Sequence, residues 1–584
     1  MASLEQIRHT LAHLLATVAK EFDPEVKLGI GPTTDDGFYY DFKFSKSPTT
    51  DDLKGLERAM QKLVNKKLPM SGREIAQAEG AKLFADQPFK LELLNEYARE
   101  GKTLTAYTVG EFTDLCKGGH VENTGEIAGD GFTLTRIAGA YWRGDEQNPM
   151  LTRIYGMAFE SKDKMKEHLT QLEESKKRDH RKLGKELGLF VFSDLVGPGL
   201  PLWTPRGTII RELLNDFVWE LRRARGYQKV TIPHITKKSL YETSGHWAKY
   251  ADDLFKINTR EGHLYAMKPM NCPHHTQIFN ATPHSYRDMP ERYAETTMVY
   301  RDEQSGELSG LQRVLSPTQD DAHVFCREDQ IAEEAGKVWD IVSAFYGAFG
   351  FTLTPRFSRR DEKTPEEYLG DESGWNKAEA ALKTLMEERK AEWIDGPGEA
   401  AFYGPKIDFM AKDSIGRVWQ VATIQIDYNQ PKNFGLVFTN NKGEKEQVVM
   451  IHAAIMGSIE RFMSIIIEHV AGAFPVWLSP TQVAIVPVSE AHEEYCATLN
   501  TKLKDAGIRT ILDVSDNSLG KRIRAHKGML VPYVLVVGDK EVEGDILTVE
   551  CRDGSRLEAL SPADFLARLS KEVSDRTQNK KYPE

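Results

Sequence analysis

The chain has 584 residues and 66.0 kDa, too many for one hydrophobic core; at roughly 150 residues per domain it divides into about four. With 40% hydrophobic and 28% charged residues it can bury real cores, and a net charge of 76 − 87 = −11 excludes a uniformly basic nucleic-acid coat but not a local basic patch. Five widely spaced cysteines exclude a disulfide framework and fit a reducing cytoplasm; no apolar run reaches the roughly 18 residues of a membrane span, and MASLEQIRHT does not open like a signal peptide.

From the N-terminus, Leu4, Ile7, Leu11, Leu14, Leu15 and Val18 recur at helical spacing, predicting a helix over 4–22. LGIGPTTDDGFYYDFKF then reads as two strands around a turn, and 51–66 as a second amphipathic helix. Mixed elements to about 160 make an α+β domain. The charged stretch SKDKMKEHLTQLEESKKRDHRKLGKELGLF reads as a solvated helix linking domains over 161–187. GPGLPLWTPRG opens a long middle domain, 188–477. Beyond SPTQ, the runs VAIVPV, IRTILDV and YVLVVG alternate with helices as β-α-β-α-β, a small α/β domain over 478–584 with a largely parallel sheet.

His9 and His13 sit four apart on one face of the first helix, and Cys116 and His120 repeat that spacing. The four make either a tetrahedral metal site or a hydrolytic pocket of acid–base groups, and spacing leaves both open. In the middle domain Cys272 stands beside a proline, which predicts a tight turn. Asp321 and His323 share a face if TQDDAHVF is a strand, and His452 precedes a glycine and a helix. Spacing alone does not join Cys272, His323 and His452.

The string RDEQSGELSGLQRVLSPTQDDAHVF resembles the second signature of a class II aminoacyl-tRNA synthetase, and GSIERFMSIIIE the third. With SGHWAKY, MKPMNCPHH, FYGPKIDF and AGAYWRGDEQNPMLTRIYGMAF they make nearly the whole chain similar to the bacterial-type threonyl-tRNA synthetases. The resemblance implies an N-terminal α+β editing domain over 1–160, a catalytic core built on an antiparallel sheet, and a C-terminal α/β anticodon-binding domain. It implies one catalytic Zn²⁺ on Cys272, His323 and His452, whose open position takes the amino and hydroxyl groups of L-threonine, with Asp321 on that hydroxyl. An apolar pocket separates the isostere valine by only about 10², whereas a site that demands a hydroxyl leaves buried polar groups unpaired when valine binds.

For ATP, which brings Mg²⁺, the resemblance assigns Arg301 to the α-phosphate and carboxylate, Glu303 to the adenine amino group, Arg313 to phosphate and Arg461 to the other face of adenine. Gln420 joins the nucleotide side of the site, and Tyr403, Lys406 and Gln425 the threonine side; His246 lies near the 2′-hydroxyl of the terminal adenosine during transfer. Serine lacks only a methyl, worth roughly 1–3 kcal/mol, so a second hydrolytic site is expected. His9, His13, Tyr40, Lys90, Asp114, Cys116 and His120 match that editing pocket for Ser-tRNA(Thr), for which no second metal is inferred. Arg524, in the basic helix with Lys521, Arg522, His526 and Lys527, and Glu541 match anticodon contacts. The partners implied are tRNA(Thr), ATP and threonine in a cytoplasmic homodimer, with neither DNA nor membrane.

The chain departs from the family in several places. The small ubiquitin-like domain that many bacterial members carry before the editing domain is expected to be missing. Pro317 and Leu315 replace an aromatic residue and an arginine, Ala453 replaces the arginine that usually follows the zinc histidine, and Gly119 replaces a proline. Glu550 breaks a V-R-x-R pattern and Asp516 replaces an asparagine. A non-catalytic RNA-binding paralogue and a synthetase for another amino acid are the competing readings; retention of the three metal ligands, Arg301, Glu303 and Arg461 weighs against the first, and those ligands in threonine-type motifs against the second.

Overall fold

The computed structural model describes residues 2–576; Met1 and 577–584, the ends of the expected first and last domains, lie outside the described residues. The chain forms two compact units, Met1–Glu173 and Glu174–Glu584.

The first unit begins with the helix Leu4–Phe22, whose Ser3 caps the N-terminus in a reciprocal box with Gln6. Ile7, Leu11, Leu14, Leu15 and Val18 are buried on an antiparallel sheet of Lys27–Leu28, Gly37–Lys43, Met150–Ala158 and Phe132–Tyr141, in that order. A second sheet of Met70–Glu74, Thr105–Val109 and Phe112–Leu115 carries Asp114 and leads to Cys116. The charged segment is not one linker helix. Its first part, Lys162–Arg178, has no buried residue; Asp179 then caps a separate helix, His180–Glu186. His180 is buried there, its Nδ1 2.6 Å from Glu468 Oε1 and its Nε2 accepting the Leu311 N–H at 3.0 Å.

The second unit is built around an eight-stranded sheet in the order Gln228–Lys229, Glu291–Met298, Thr318–Cys326, Val449–Ala454, Val418–Asp427, Lys406–Lys412, Thr352–Arg359 and Ile394–Pro397. The six inner strands are antiparallel and the two outermost pair parallel. Ala322, Val324, Ile424, Ile426, Ile451 and Ala453 belong to the main core with the helices Pro205–Arg223, Ile331–Gly347 and Ile459–His469. Because strand residues alternate faces, His323, His452 and Gln425 lie on the opposite face. The last domain has a five-stranded sheet, parallel through Thr510–Leu512, Val483–Pro487 and Tyr533–Val537, then antiparallel through Leu547–Cys551 and Arg556–Leu560.

Candidate active site

Strand register assembles the site in the second unit. His323 pairs with His452, His452 with Gln425, and Gln425 with Lys406 across four adjacent strands, so four expected residues form one row on one face. Cys272 approaches from the first turn of the helix Cys272–Asn280, not from a tight turn; Pro273 suits that position because the first helical N–H groups need no intrahelical acceptor. One donor atom each from Cys272, His323 and His452 lie within 4.8 Å of one another, and all three residues are buried.

Further polar side chains hold this group, and spacing did not reveal them. His452 Nε2 lies 3.0 Å from Asp427 Oδ2, leaving Nδ1 open to a ligand. His323 Nδ1 lies 2.8 Å from Nδ1 of the buried His275, and its Nε2, 3.6 Å from Asp321 Oδ1, has no hydrogen bond among the described residues. Asn271 donates to Asp321 Oδ2 at 3.1 Å. Burial pushes the Cys272 thiol up and both His323 and His275 down, so without a cation all three are neutral. A bound metal inverts that logic for the thiol. The sulfur–imidazole donor set and its orienting carboxylate and imidazole fit a metal ion with an open position.

Beside the row, the buried Asp408 accepts from Lys406 Nζ at 2.7 Å, Gln420 Nε2 at 2.9 Å and Arg356 at 3.1 Å. Lys406 and Gln420 are thereby brought together, with Arg356 as an unforeseen partner. Gln425 donates to the Gly404 carbonyl at 3.0 Å. Tyr403 sits 5.3 Å from the His452 ring and 5.9 Å from the His246 ring. His246 is buried, its Nδ1 2.8 Å from Ser244 Oγ, and desolvation lowers its pKa to about 4.

The expected nucleotide groups are more open. Arg301 and Arg461 are both exposed, the latter in the first turn of the helix capped by Ser458. That helix start is tied to the strand Thr318–Cys326 through Glu460, which accepts from Thr318 N at 2.7 Å and Thr318 Oγ1 at 2.9 Å. Arg313 Nη2 lies 2.6 Å from Glu303, so these two occupy each other here. Pro317 lends its carbonyl to Val299 N at 2.9 Å just before the strand, where no ladder N–H is needed.

In the first unit, a cavity of about 590 Å³ is lined by His9, His13, Tyr40, Lys90, Asp114 and Cys116 among others. Cys116 Sγ lies 3.4 Å from His9 Nε2 and 3.2 Å from His120 Nε2. Thr10 Oγ1 donates to the Gln6 carbonyl and so accepts from His120 Nδ1, which places the His120 Nε2 lone pair toward the thiol. Desolvation lowers His120 to about 2 and His13 well below its ordinary value, and raises Cys116 to about 11, so the cluster is neutral near pH 7. Lys90 and Asp114 form a buried ion pair at 2.6 Å, and Tyr40 donates to Asp114 at 2.6 Å. One donor atom from each of His9, His13, Cys116 and His120 also lies within 4.8 Å of the rest. Gly119 adopts φ +88°, which proline cannot.

In the last domain, the basic helix exposes less charge than its composition suggests. Arg522 turns inward to the carbonyls of Asp513 and Pro487, and His526 to Asp513. Arg524 is exposed, while Lys527 lies 2.7 Å from Glu550. Glu541 is buried and accepts from Gly538 N and Thr548 Oγ1.

Residues 255–470 match the tRNA synthetase class II core domain of the glycine, histidine, proline, serine and threonine group. Residues 482–572 match an anticodon-binding domain, and 104–155 the second additional domain of threonyl and alanyl tRNA synthetases. Threonine–tRNA ligase of Porphyromonas gingivalis is 47% identical over 574 residues, 97% of this chain and 87% of that one. The Thermotoga maritima protein of that name is 45% identical over 575 residues, 98% and 88% of the two chains. Among solved structures, the RNA-binding domain of threonyl-tRNA synthetase from Cryptosporidium parvum superposes with a TM-score of 0.65 at 37% identity, covering 68% of this chain and 98% of that one.

Proposed function

The chain belongs to the threonyl-tRNA synthetase family, and from that premise we propose that its buried Cys272, His323 and His452 hold the zinc ion that selects threonine. The enzyme is a threonine–tRNA ligase: it joins threonine to ATP as an adenylate, transfers the aminoacyl group to tRNA(Thr), and edits mischarged Ser-tRNA(Thr). Mg²⁺ accompanies ATP in this family. The observation that carries the zinc reading is the meeting of three donor atoms within 4.8 Å, each histidine keeping one nitrogen outside its hydrogen bond.

When bound, the zinc supplies a Lewis-acid position for the amino and hydroxyl groups of threonine. Asp321, oriented by Asn271, accepts a hydrogen bond from the substrate hydroxyl and so rejects valine. Lys406 and Gln425 complete the threonine side, and Gln420 the nucleotide side. Arg301 neutralises charge developing on the α-phosphate as the carboxylate attacks and pyrophosphate leaves, Arg461 covers adenine, and Glu303 and Arg313 part to receive the adenine amino group and phosphate. His246, neutral near pH 7, accepts a proton near the terminal 2′-hydroxyl during transfer. In the editing pocket, Lys90 and Asp114 position the ester while the neutral His and Cys groups orient water. Arg524 meets the anticodon, and Glu541 acts from behind it by holding the neighbouring turn at Gly538 and Thr548. Two copies pair through the exposed apolar segment that includes Val191, Phe192, Leu195 and Leu202, Leu195 being 99% exposed. Among the described residues no helix is long and apolar enough to cross a membrane, in keeping with a cytoplasmic enzyme.

The test is ATP–pyrophosphate exchange with threonine, serine and valine, with and without a zinc chelator. Exchange strongest with threonine, weaker with serine, absent with valine and lost on zinc removal is expected. Exchange that survives chelation with the metal gone refutes the zinc assignment; no exchange from folded, zinc-loaded protein favours the RNA-binding paralogue.

A further inference from the structure

A fully buried guanidinium lies behind the active-site sheet. Arg222, in the last turn of the helix Pro205–Arg223, is 2% exposed although its buried helix neighbours are Ile210, Leu214, Phe217 and Val218. A cation so placed is tolerated only when paired and hydrogen-bonded. Its Nη1 lies against Asp320 Oδ1, and its Nη2 donates to the Ala453 carbonyl at 3.2 Å. Asp320 has no exposed surface; its Oδ2 accepts the backbone N–H groups of Ile455 at 3.0 Å and Met456 at 2.9 Å. Those two residues lead from the strand Val449–Ala454 toward the helix that carries Arg461.

Strand alternation puts Asp320 and Ala322 on the face opposite Asp321 and His323, and Ala453 on the face opposite His452. Ala322 and Ala453 are paired in register, so both positions beside the guanidinium carry small side chains. A longer side chain at 453 would project onto this same back face, beside Asp320. We propose that Arg222 is a positioning residue: it supplies from the helix the cation that the buried Asp320 requires, a cation that an arginine at 453 would bring to the same carboxylate. Through Asp320 it holds the strand bearing Asp321 and His323 against the turn that delivers Arg461. One buried charge thus joins a helix, a strand and a turn that carry the front-face chemistry.

The proposal rests on the synthetase reading for its kinetic consequence alone, so its test has two arms. Arg222→Met, Ala453→Arg and the double variant form a cycle, read by urea midpoint and by threonine-dependent exchange with kcat and KM for ATP separated. Each single change is expected to lower kcat/KM by about ten-fold or more, one by leaving Asp320 without its cation, the other by crowding two guanidiniums on one carboxylate. The double variant is expected to recover to within about three-fold of the parent, with its midpoint restored in parallel. Single effects that simply multiply in the double variant overturn the shared carboxylate, and singles that shift only the midpoint overturn the positioning role. If Arg222→Met does not fold, a folded double variant supports the pair and an unfolded one overturns it. A parent without exchange refutes the synthetase reading instead, and the urea arm then decides whether the two positions exchange the cation.

Discussion

His452 Nε2 lies 3.0 Å from the Oδ2 of Asp427, a carboxylate with no exposed surface that also accepts the N–H groups of Asn429 and Gln430. Such a partner fixes the tautomer of a metal-binding imidazole and raises its basicity. Asp427→Asn is therefore expected to weaken zinc retention by about 10–100-fold, measured by competition with a chromophoric chelator. Unchanged retention would show that Asp427 only orders the following turn.

Lys90 and Asp114 are paired at 2.6 Å out of solvent. Lys90→Met leaves the carboxylate buried with only the Tyr40 hydroxyl and its neighbouring N–H, a loss of about 3–5 kcal/mol. Hydrolysis of Ser-tRNA(Thr) should fall by about 10² or more. A deacylation assay on the variant checks this, with threonine-dependent exchange as the report on the integrity of the other unit; full deacylation activity would remove Lys90 from the pocket's chemistry.

Burial holds His9, His13 and His120 below their ordinary pKa, His120 at about 2. The unfolded chain takes up protons on these groups near pH 6.5 while the folded chain does not. Their contribution to stability is thus fully present above about pH 7 and declines as the pH falls through 6 and 5, by up to about 1.4 kcal/mol per unit for each fully buried neutral histidine. Urea unfolding of the full chain between pH 5 and 8 should show a first transition that weakens toward acid. A transition that strengthens toward acid would contradict the neutral cluster.

Gly119 follows a second left-handed glycine, Gly118 at φ +96°, in the loop between Cys116 and His120. Gly119→Pro demands φ near −65°, so the loop must leave its left-handed path between Cys116 and His120. The expected result is editing reduced by at least about ten-fold with exchange as in the parent. Normal editing in this variant would mean that the loop takes two paths with equal effect.

Glu550 ties down Lys527 at 2.7 Å and Arg556 at 3.0 Å. Glu550→Gln removes an anionic charge from the basic face, so tRNA(Thr) binding should tighten and its logarithmic salt slope steepen by about one. Filter binding between 50 and 200 mM salt would check this. An unchanged slope would place Glu550 away from the RNA path.

Much of this arrangement was legible in the chain. Apolar spacing marked the helix Leu4–Phe22 and placed His9 and His13 on it, and the alternation in TQDDAHVF put Asp321 and His323 on a common face. Spacing did not join Cys272, His323 and His452, which the resemblance alone brought together, because their meeting depends on which strands become neighbours and in what register. The supporting groups Asp427, Asn271, His275 and Asp408 were missed because each is a single buried polar residue without period. Arg522 and His526 looked like part of a basic surface because composition does not reveal which way a side chain turns.

The crosswise row from His323 through His452 and Gln425 to Lys406 has a metric consequence. Neighbouring strands lie about 4.8 Å apart, so three steps along the row measure about 14 Å. The sheet therefore works as a ruler whose divisions are set by backbone hydrogen bonds and not by side-chain rotamers or loops. Groups carried on neighbouring strands are thus held at fixed intervals, and a ligand that meets both histidines and Lys406 is gauged by the whole length of the row.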